Sequence, residues 1–263
     1  MSNEPIYQPQ TKVAVIGGSG FADALDGIYG DDVSDITVQT DYGTVHVSHY
    51  SNNETSDVYF ISRHGKGHSV PPHCINHHAN IAALAKLNVT DIIATSAVGS
   101  LRRDLDSGTI IVLDDFVDLR GQVTTFFDQP GRVRHTDFSE PFSSDLRQVI
   151  LEEAGNLAGA MSNPPLVYPA GTYLCLSGPR YETPGEVRLF GAWGLDVVGM
   201  TVASEAILAR ELDIRYANIA LVTNLGTGLS SAPLSHLEVE SQMLASRPFI
   251  VQTLQAVISR LVA

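Results

Sequence analysis

Between residues 177 and 224 the chain reads Ser177-Gly-Pro-Arg-Tyr-Glu-Thr-Pro-Gly-Glu-Val187, then Leu195-Asp-Val-Val-Gly-Met-Thr-Val-Ala-Ser-Glu205, then Tyr216-Ala-Asn-Ile-Ala-Leu-Val-Thr-Asn224. Apolar runs that stop at glycine, proline or a polar residue, with helical spacing between them, read as strands alternating with helices, which is the α/β class. Gly178 and Pro179 break the chain just past an apolar run and lift Tyr181 and Glu182 to a strand edge, where binding residues concentrate. Residues 199–201 form a second break, before a helix whose first turn can offer backbone N–H groups to an anion. Asn224 ends a third run, where an amide can face a ligand. One ring, one carboxylate, one hydroxyl at a helix start and one amide suit a flat, polar-edged molecule beside a phosphate.

Upstream, Lys12-Val-Ala-Val-Ile-Gly-Gly-Ser-Gly20 is an apolar strand running into a glycine-rich turn. The glycines let backbone approach an anion, and Ser19 adds a hydroxyl. A dinucleotide fingerprint is the rival reading, but the third glycine is missing and no acidic residue follows at the required distance. Residues 44–50 and 57–62 read as two strands of a hairpin-like pair, the second ending in Arg63-His-Gly-Lys-Gly-His68. A guanidinium, two imidazoles and glycines past a strand end make an oxyanion clamp, because arginine can grip phosphate with two N–H groups; the bland alternative is a charged turn.

Residues 71–87 read as an amphipathic helix that would place His73 and His77 four apart, a spacing compatible with a metal. No third ligand has matching spacing, so ordinary polar residues at a helix start are preferred and no metal is expected. Residues 91–95 read as a buried strand ending in Thr95-Ser-Ala-Val-Gly-Ser100, a turn that presents N–H and O–H donors. A strand is expected at 108–113, then a long irregular region at 114–141 whose length argues for function. That region holds Phe126, Phe127, Arg132, Arg134 and His135. A helix at 143–158, a strand at 171–176 and a last amphipathic helix from about 235 to 261 complete the chain.

A chain of 263 residues with 44% hydrophobic residues can bury a full core. Its net charge of −13 opposes a nucleic-acid surface, which needs a clustered basic face. An anionic ligand must then be held by local donors. No apolar run is long enough to span a membrane, and residues 1–10 lack the basic start and apolar core of a secretory signal. The two cysteines, Cys74 and Cys175, are too few for a disulfide framework or a zinc site, which suggests reduced thiols in a cytoplasmic protein. Residues 1–11 read as a loose arm and 12–263 as one domain.

Taken together, these motifs resemble the trimeric class of the purine nucleoside phosphorylase and methylthioadenosine phosphorylase family, over nearly the whole chain. The resemblance implies a single α/β domain with a mixed, partly closed central β-sheet wrapped by helices, and a homotrimer with sites near subunit boundaries. It implies a phosphate pocket of Ser19, Arg63, His64, Ser96, the amide of Ala97, and Thr201. Met200 would pack under the ribose, Tyr181 against sugar or base, and His135 would arrive from the neighbouring subunit toward the 5′ end. His236, in His236-Leu-Glu-Val239, resembles the histidine that binds the ribose 5′-hydroxyl.

Glu182 and Asn224 are the pair that the resemblance associates with inosine and guanosine, where adenine-using members carry a small hydroxyl residue and an aspartate. The physics agrees, since a 6-oxopurine offers a donor at N1 to the carboxylate and acceptors at O6 and N7 to the amide. The reading is therefore phosphorolysis of 6-oxopurine nucleosides, with inorganic phosphate as co-substrate and no cofactor, and with Asn224, Glu182 and His64 as catalytic residues. Methylthioinosine or methylthioadenosine phosphorolysis is the alternative enzyme. A hydrolytic nucleosidase and a binding module without chemistry are the rivals beyond it.

Overall fold

A computed structural model describes residues 11–18, 21, 33–52, 56–230 and 236–263. Of the expected arm only Thr11 is among them. The expected α/β architecture is present, with eleven strands in one mixed sheet among the described residues.

The centre of that sheet is β1 (Val13–Gly17), β5 (Asp91–Ser100) and β11 (Arg215–Leu225). Each is a near-continuous apolar run because both of its faces are covered, the pattern of a buried parallel strand. β1 pairs in parallel with β4 (Ser56–Ser62) and β5, and β5 pairs in parallel with β11. Beyond β4 lie β3 (Gly43–Asn52) and β2 (Val33–Thr40), both antiparallel, so the expected hairpin-like pair is β3 with β4.

β5 runs on to Ser100 where the sequence reading stops it near Thr95, because β11 pairs with it along its full length. Its other edge is shared. β1 occupies it as far as Ala94, and β10 (Val197–Gly199) takes it up antiparallel at Gly99 and Ser100. Between them, residues 95–98 have no strand partner on that side among the described residues. The sheet forks here: β10 continues to β9 (Thr172–Cys175) and β7 (Asp115–Asp118), while β11 continues to β6 (Ile110–Val112) and β8 (Val167–Tyr168). A forked sheet leaves a cleft at the split, with strand ends converging on it, which is where α/β ligands bind.

Helices α1 (His77–Lys86) and α4 (Val202–Glu211) cover one face, with Ile81, Leu84, Val202 and Leu208 packed on Ala14 and Ile16. Helices α2 (Ser144–Gly159) and α5 (His236–Val262) cover the other, with Ile150, Leu254 and Val257 packed with Val13 and Val15. Helix α3 (Pro184–Ala192) packs Val187 and Phe190 against Leu174 and Val198 at the forked end.

The helix expected over 71–87 is shorter. Residues 72–74 form a separate 3-10 turn, Ile75 is extended, and Asn76 caps α1 by accepting the Ala79 N–H at 3.0 Å. A cap that satisfies an orphan N–H outcompetes continuing the helix backwards through Pro72. His73 and His77 therefore do not share a helix face.

Candidate active site

The fork opens into a cavity of about 230 Å³ that collects Arg63, His64, Ser96, Ala97, Tyr181, Glu182, Met200, Thr201 and Asn224. These residues come from the end of β4, the part of β5 beyond its pairing with β1, the end of β11 and the segments entering α3 and α4. Of the remaining sequence-derived positions, only His135 is described in full, and it is not in the cavity. Ser19 lies outside the described residues. His236 begins α5, but its side chain is outside the described ones; three residues on, Val239 lines the cavity. His135 sits at a different depression, beside Phe116, Arg134 and Phe138.

Arg63 is held more tightly than a free phosphate clamp. Its side chain is 1% exposed, and Nε and Nη2 both donate to the Glu205 carboxylate, the second at 2.8 Å. Nη1 donates to the Thr95 carbonyl at 2.9 Å, on the unpaired stretch of β5. The expected two-pronged grip through the arginine fork is thus already occupied by a carboxylate. What remains for an anion is one N–H on each terminal nitrogen. Burial opposes the charge of Arg63, yet Glu205 raises its pKa above the ordinary value. Burial likewise pushes the Glu205 carboxyl up, but Arg63 outweighs it and the group ends below its usual range. Gly18, past β1, lies against this pair. Gly18 donates its N–H to Thr95 Oγ1 at 3.2 Å, and a Cβ on it would stand 2.7 Å from Arg63 Nη1.

His64 is neutral near pH 7, because burial lowers its pKa to about 4. Its Nδ1 lies 2.9 Å from the Val70 carbonyl, an acceptor, so Nδ1 carries the proton and Nε2 is left with a lone pair. His68 stacks on it at 4.2 Å between ring centroids and also lines the cavity. Thr201 holds the start of α4, but its N–H donates to the Tyr173 hydroxyl at 3.2 Å. Its hydroxyl makes no capping bond, and the residue lines the cavity.

Glu182 and Asn224 both line the same cavity. Thr183 and Glu186 form a reciprocal capping box at the start of α3, and Arg180 ties Glu186 down through two contacts of 2.8 Å. Such a cap fixes the backbone just before the helix, which is where Tyr181 and Glu182 project. Glu182 is buried, and no ion pair holds it among the described residues; burial raises its pKa. Tyr181 keeps 41% of its surface exposed, a face available for stacking.

Asn224 reaches the cavity because β11 bulges between Val222 and Asn224. In a regular strand adjacent side chains point to opposite faces, whereas the extra residue lets both Thr223 and Asn224 line one cavity. Asn224 Oδ1 accepts from Thr223 Oγ1 at 2.9 Å, which orients the amide, and Nδ2 gives one hydrogen to the Leu225 carbonyl at 3.1 Å. One N–H is left for a ligand. The second imidazole of the expected clamp, His68, is in the cavity wall, whereas the sequence reading missed Thr223 and the role of Glu205 in holding Arg63. Glu205 alone carried a signal, as a carboxylate inside an otherwise apolar helix start.

A family model described as the phosphorylase superfamily matches residues 12–259. A 6-oxopurine nucleoside phosphorylase of Pyrococcus furiosus is 41% identical over 255 residues, covering 94% of this chain and 92% of its own. A probable S-methyl-5′-thioinosine phosphorylase of Methanopyrus kandleri is 38% identical, covering 93% and 91%. Among solved structures, a methylthioadenosine phosphorylase from Schistosoma mansoni in complex with adenine superposes with a TM-score of 0.87 at 32% identity, covering 95% of this chain and 92% of that one.

Proposed function

The chain belongs to the phosphorylase superfamily, and from that premise we propose that it is a purine nucleoside phosphorylase that cleaves 6-oxopurine nucleosides such as inosine and guanosine. One observation carries the reading: Glu182 and Asn224 line the same cavity as Arg63 and His64. The name of the Pyrococcus furiosus relative, a 6-oxopurine nucleoside phosphorylase, supports it.

Phosphate sits under the sugar, against Arg63, His64, Ser96, the Ala97 backbone and the Thr201 hydroxyl, with Ser19 on the glycine turn completing the set. Met200 packs under the ribose. A phosphate oxygen bonds to C1′ as the bond from C1′ to N9 breaks through an oxocarbenium-like state, and the electron pair leaves with the purine. The free N–H of Asn224 faces N7 and O6, where that negative charge accumulates, and Glu182 accepts from N1–H. Both groups are pre-aimed, by Thr223 and by the α3 cap, so they need no reorganisation as charge develops. The neutral imidazole of His64 offers Nε2 as an acceptor, which suits a protonated phosphate oxygen. Products are the free base and ribose 1-phosphate, and no covalent intermediate on the protein is required.

We further infer a homotrimer in which the neighbour supplies His135 toward the 5′ end. A cytoplasmic setting fits the two free cysteines, Cys74 and Cys175. No described helix is long and apolar enough to cross a membrane. A second substrate reading, 5′-methylthioinosine, draws support from Val239, an apolar residue of α5 on the cavity wall; His236 favours the 5′-hydroxyl. One assay tests the reaction and the substrate: base release from inosine, guanosine, adenosine, methylthioinosine and methylthioadenosine, each with and without phosphate. Phosphate-dependent turnover of inosine or guanosine above the adenine nucleosides is the expected result. Release that ignores phosphate would replace phosphorolysis with hydrolysis.

A further inference from the structure

Glu205 lies on α4 with a fully buried side chain and does not line the substrate cavity. It nevertheless stands at the centre of a polar chain that runs behind the anion pocket. One end is Arg63, gripped through Nε and Nη2. From the other side Tyr216 donates its hydroxyl to Glu205 Oε2 at 2.8 Å. Asn218 Nδ2 stands 3.5 Å from the Tyr216 oxygen, and Ser96 Oγ donates to Asn218 Oδ1 at 2.8 Å. Arg63 follows β4, Ser96 is on β5, and Tyr216 and Asn218 are on β11, so the chain ties three strands across the fork.

Two roles compete for such a carboxylate. It can neutralise Arg63, which would weaken anion binding. Or it can aim Arg63, turning the guanidinium so that its remaining N–H groups alone face the cavity. Two-point contact with the arginine fork fixes the guanidinium plane as well as its distance. A guanidinium released in this apolar interior would be free to turn its donors elsewhere. We propose that Glu205 is a positioning residue for phosphate, holding Arg63 directly and Ser96 through Tyr216 and Asn218.

This rests on phosphorolysis as the reaction, so the test begins with the phosphate dependence of the unaltered enzyme. Initial rates are then measured for Glu205→Gln and Tyr216→Phe, varying inorganic phosphate at saturating inosine and then the reverse. Glu205→Gln keeps the shape but loses the charge and one of the two acceptors. The KM for phosphate is expected to rise by about tenfold or more, with the KM for inosine within about twofold. Tyr216→Phe removes one hydroxyl and is expected to raise the phosphate KM by about threefold.

A phosphate KM that stays level or falls in Glu205→Gln overturns the proposal, a fall meaning that neutralisation was the dominant role. Equal losses toward both substrates overturn it too, because they mark a general packing defect. Should Glu205→Gln not accumulate as folded protein, Tyr216→Phe decides by the same split. An unaltered enzyme that releases base without phosphate would instead sink the reaction itself, a separate result.

Discussion

Asn224→Asp is the substitution on which the assignment of the base can be tried most sharply. In the folded protein Oδ1 of Asn224 already accepts from Thr223 Oγ1, and Nδ2 is divided between the Leu225 carbonyl and the cavity. Aspartate has no N–H, so the cavity loses its donor and gains an acceptor at the same place. A 6-oxopurine then sets O6 and N7 against a carboxylate, while adenine can donate from N6. Each buried polar mismatch costs about 1–3 kcal/mol. Losing one match for inosine and gaining one for adenosine moves the preference by about 2–6 kcal/mol, or roughly 30-fold to 10⁴-fold in the ratio of kcat/KM. Glu182 still faces the acceptor at adenine N1, which places the outcome toward the lower end. The assay is kcat/KM for inosine and adenosine at saturating phosphate, with thermal denaturation to confirm folding, since the Leu225 contact is lost as well. A folded variant whose inosine-to-adenosine ratio matches the parent would refute the assignment of Asn224.

Three further outcomes follow from the same geometry. Glu182→Ala deletes a hydrogen bond to a charged acceptor worth about 1.5–3 kcal/mol, so guanosine kcat/KM should fall roughly 10- to 150-fold; a smaller loss would make Glu182 a bystander. Thr183→Ala removes the cap of α3 and should cost about 1 kcal/mol, seen as a melting point lower by about 2–4 °C, and a higher KM for nucleoside should accompany it because Glu182 loses its anchor. Burial lowers the pKa of His64 and of His77 to about 4 from 6.5. The unfolded chain therefore binds more protons between those values, and stability present above pH 6.5 is lost as pH falls toward 4. Each histidine accounts for about 2 kcal/mol between pH 7 and 5. Urea unfolding of His77→Gln at the two pH values should show a shallower loss than the parent, and parallel slopes would contradict the burial argument.

The α/β class, much of the order of strands and helices, and most of the cavity wall were legible in the residues, whereas β2, β7 (inside the stretch read as irregular) and β8 were not. Apolar runs ended by Gly178-Pro179, by Gly199 and by Asn224 mark strand ends by local chemistry, and strand ends gather where a parallel sheet presents its loops. Arg63-His64 and Glu182 with Asn224 could be read as donors and acceptors because their side-chain chemistry does not depend on distant contacts. Other features needed the fold. Nothing near Arg63 in sequence announces that Glu205, 142 residues away, takes both prongs of its fork. The extension of β5 to Ser100 depends on β11 pairing beside it, and the placement of Thr223 with Asn224 depends on a bulge in that same pairing. The N–H of Thr201, at a helix start, is already taken by the Tyr173 hydroxyl from another strand. Local sequence determines which groups can donate and accept; only the three-dimensional packing decides which of them are already spent on one another and which are left for a ligand, because hydrogen-bond capacity is finite and its partners come from remote parts of the chain.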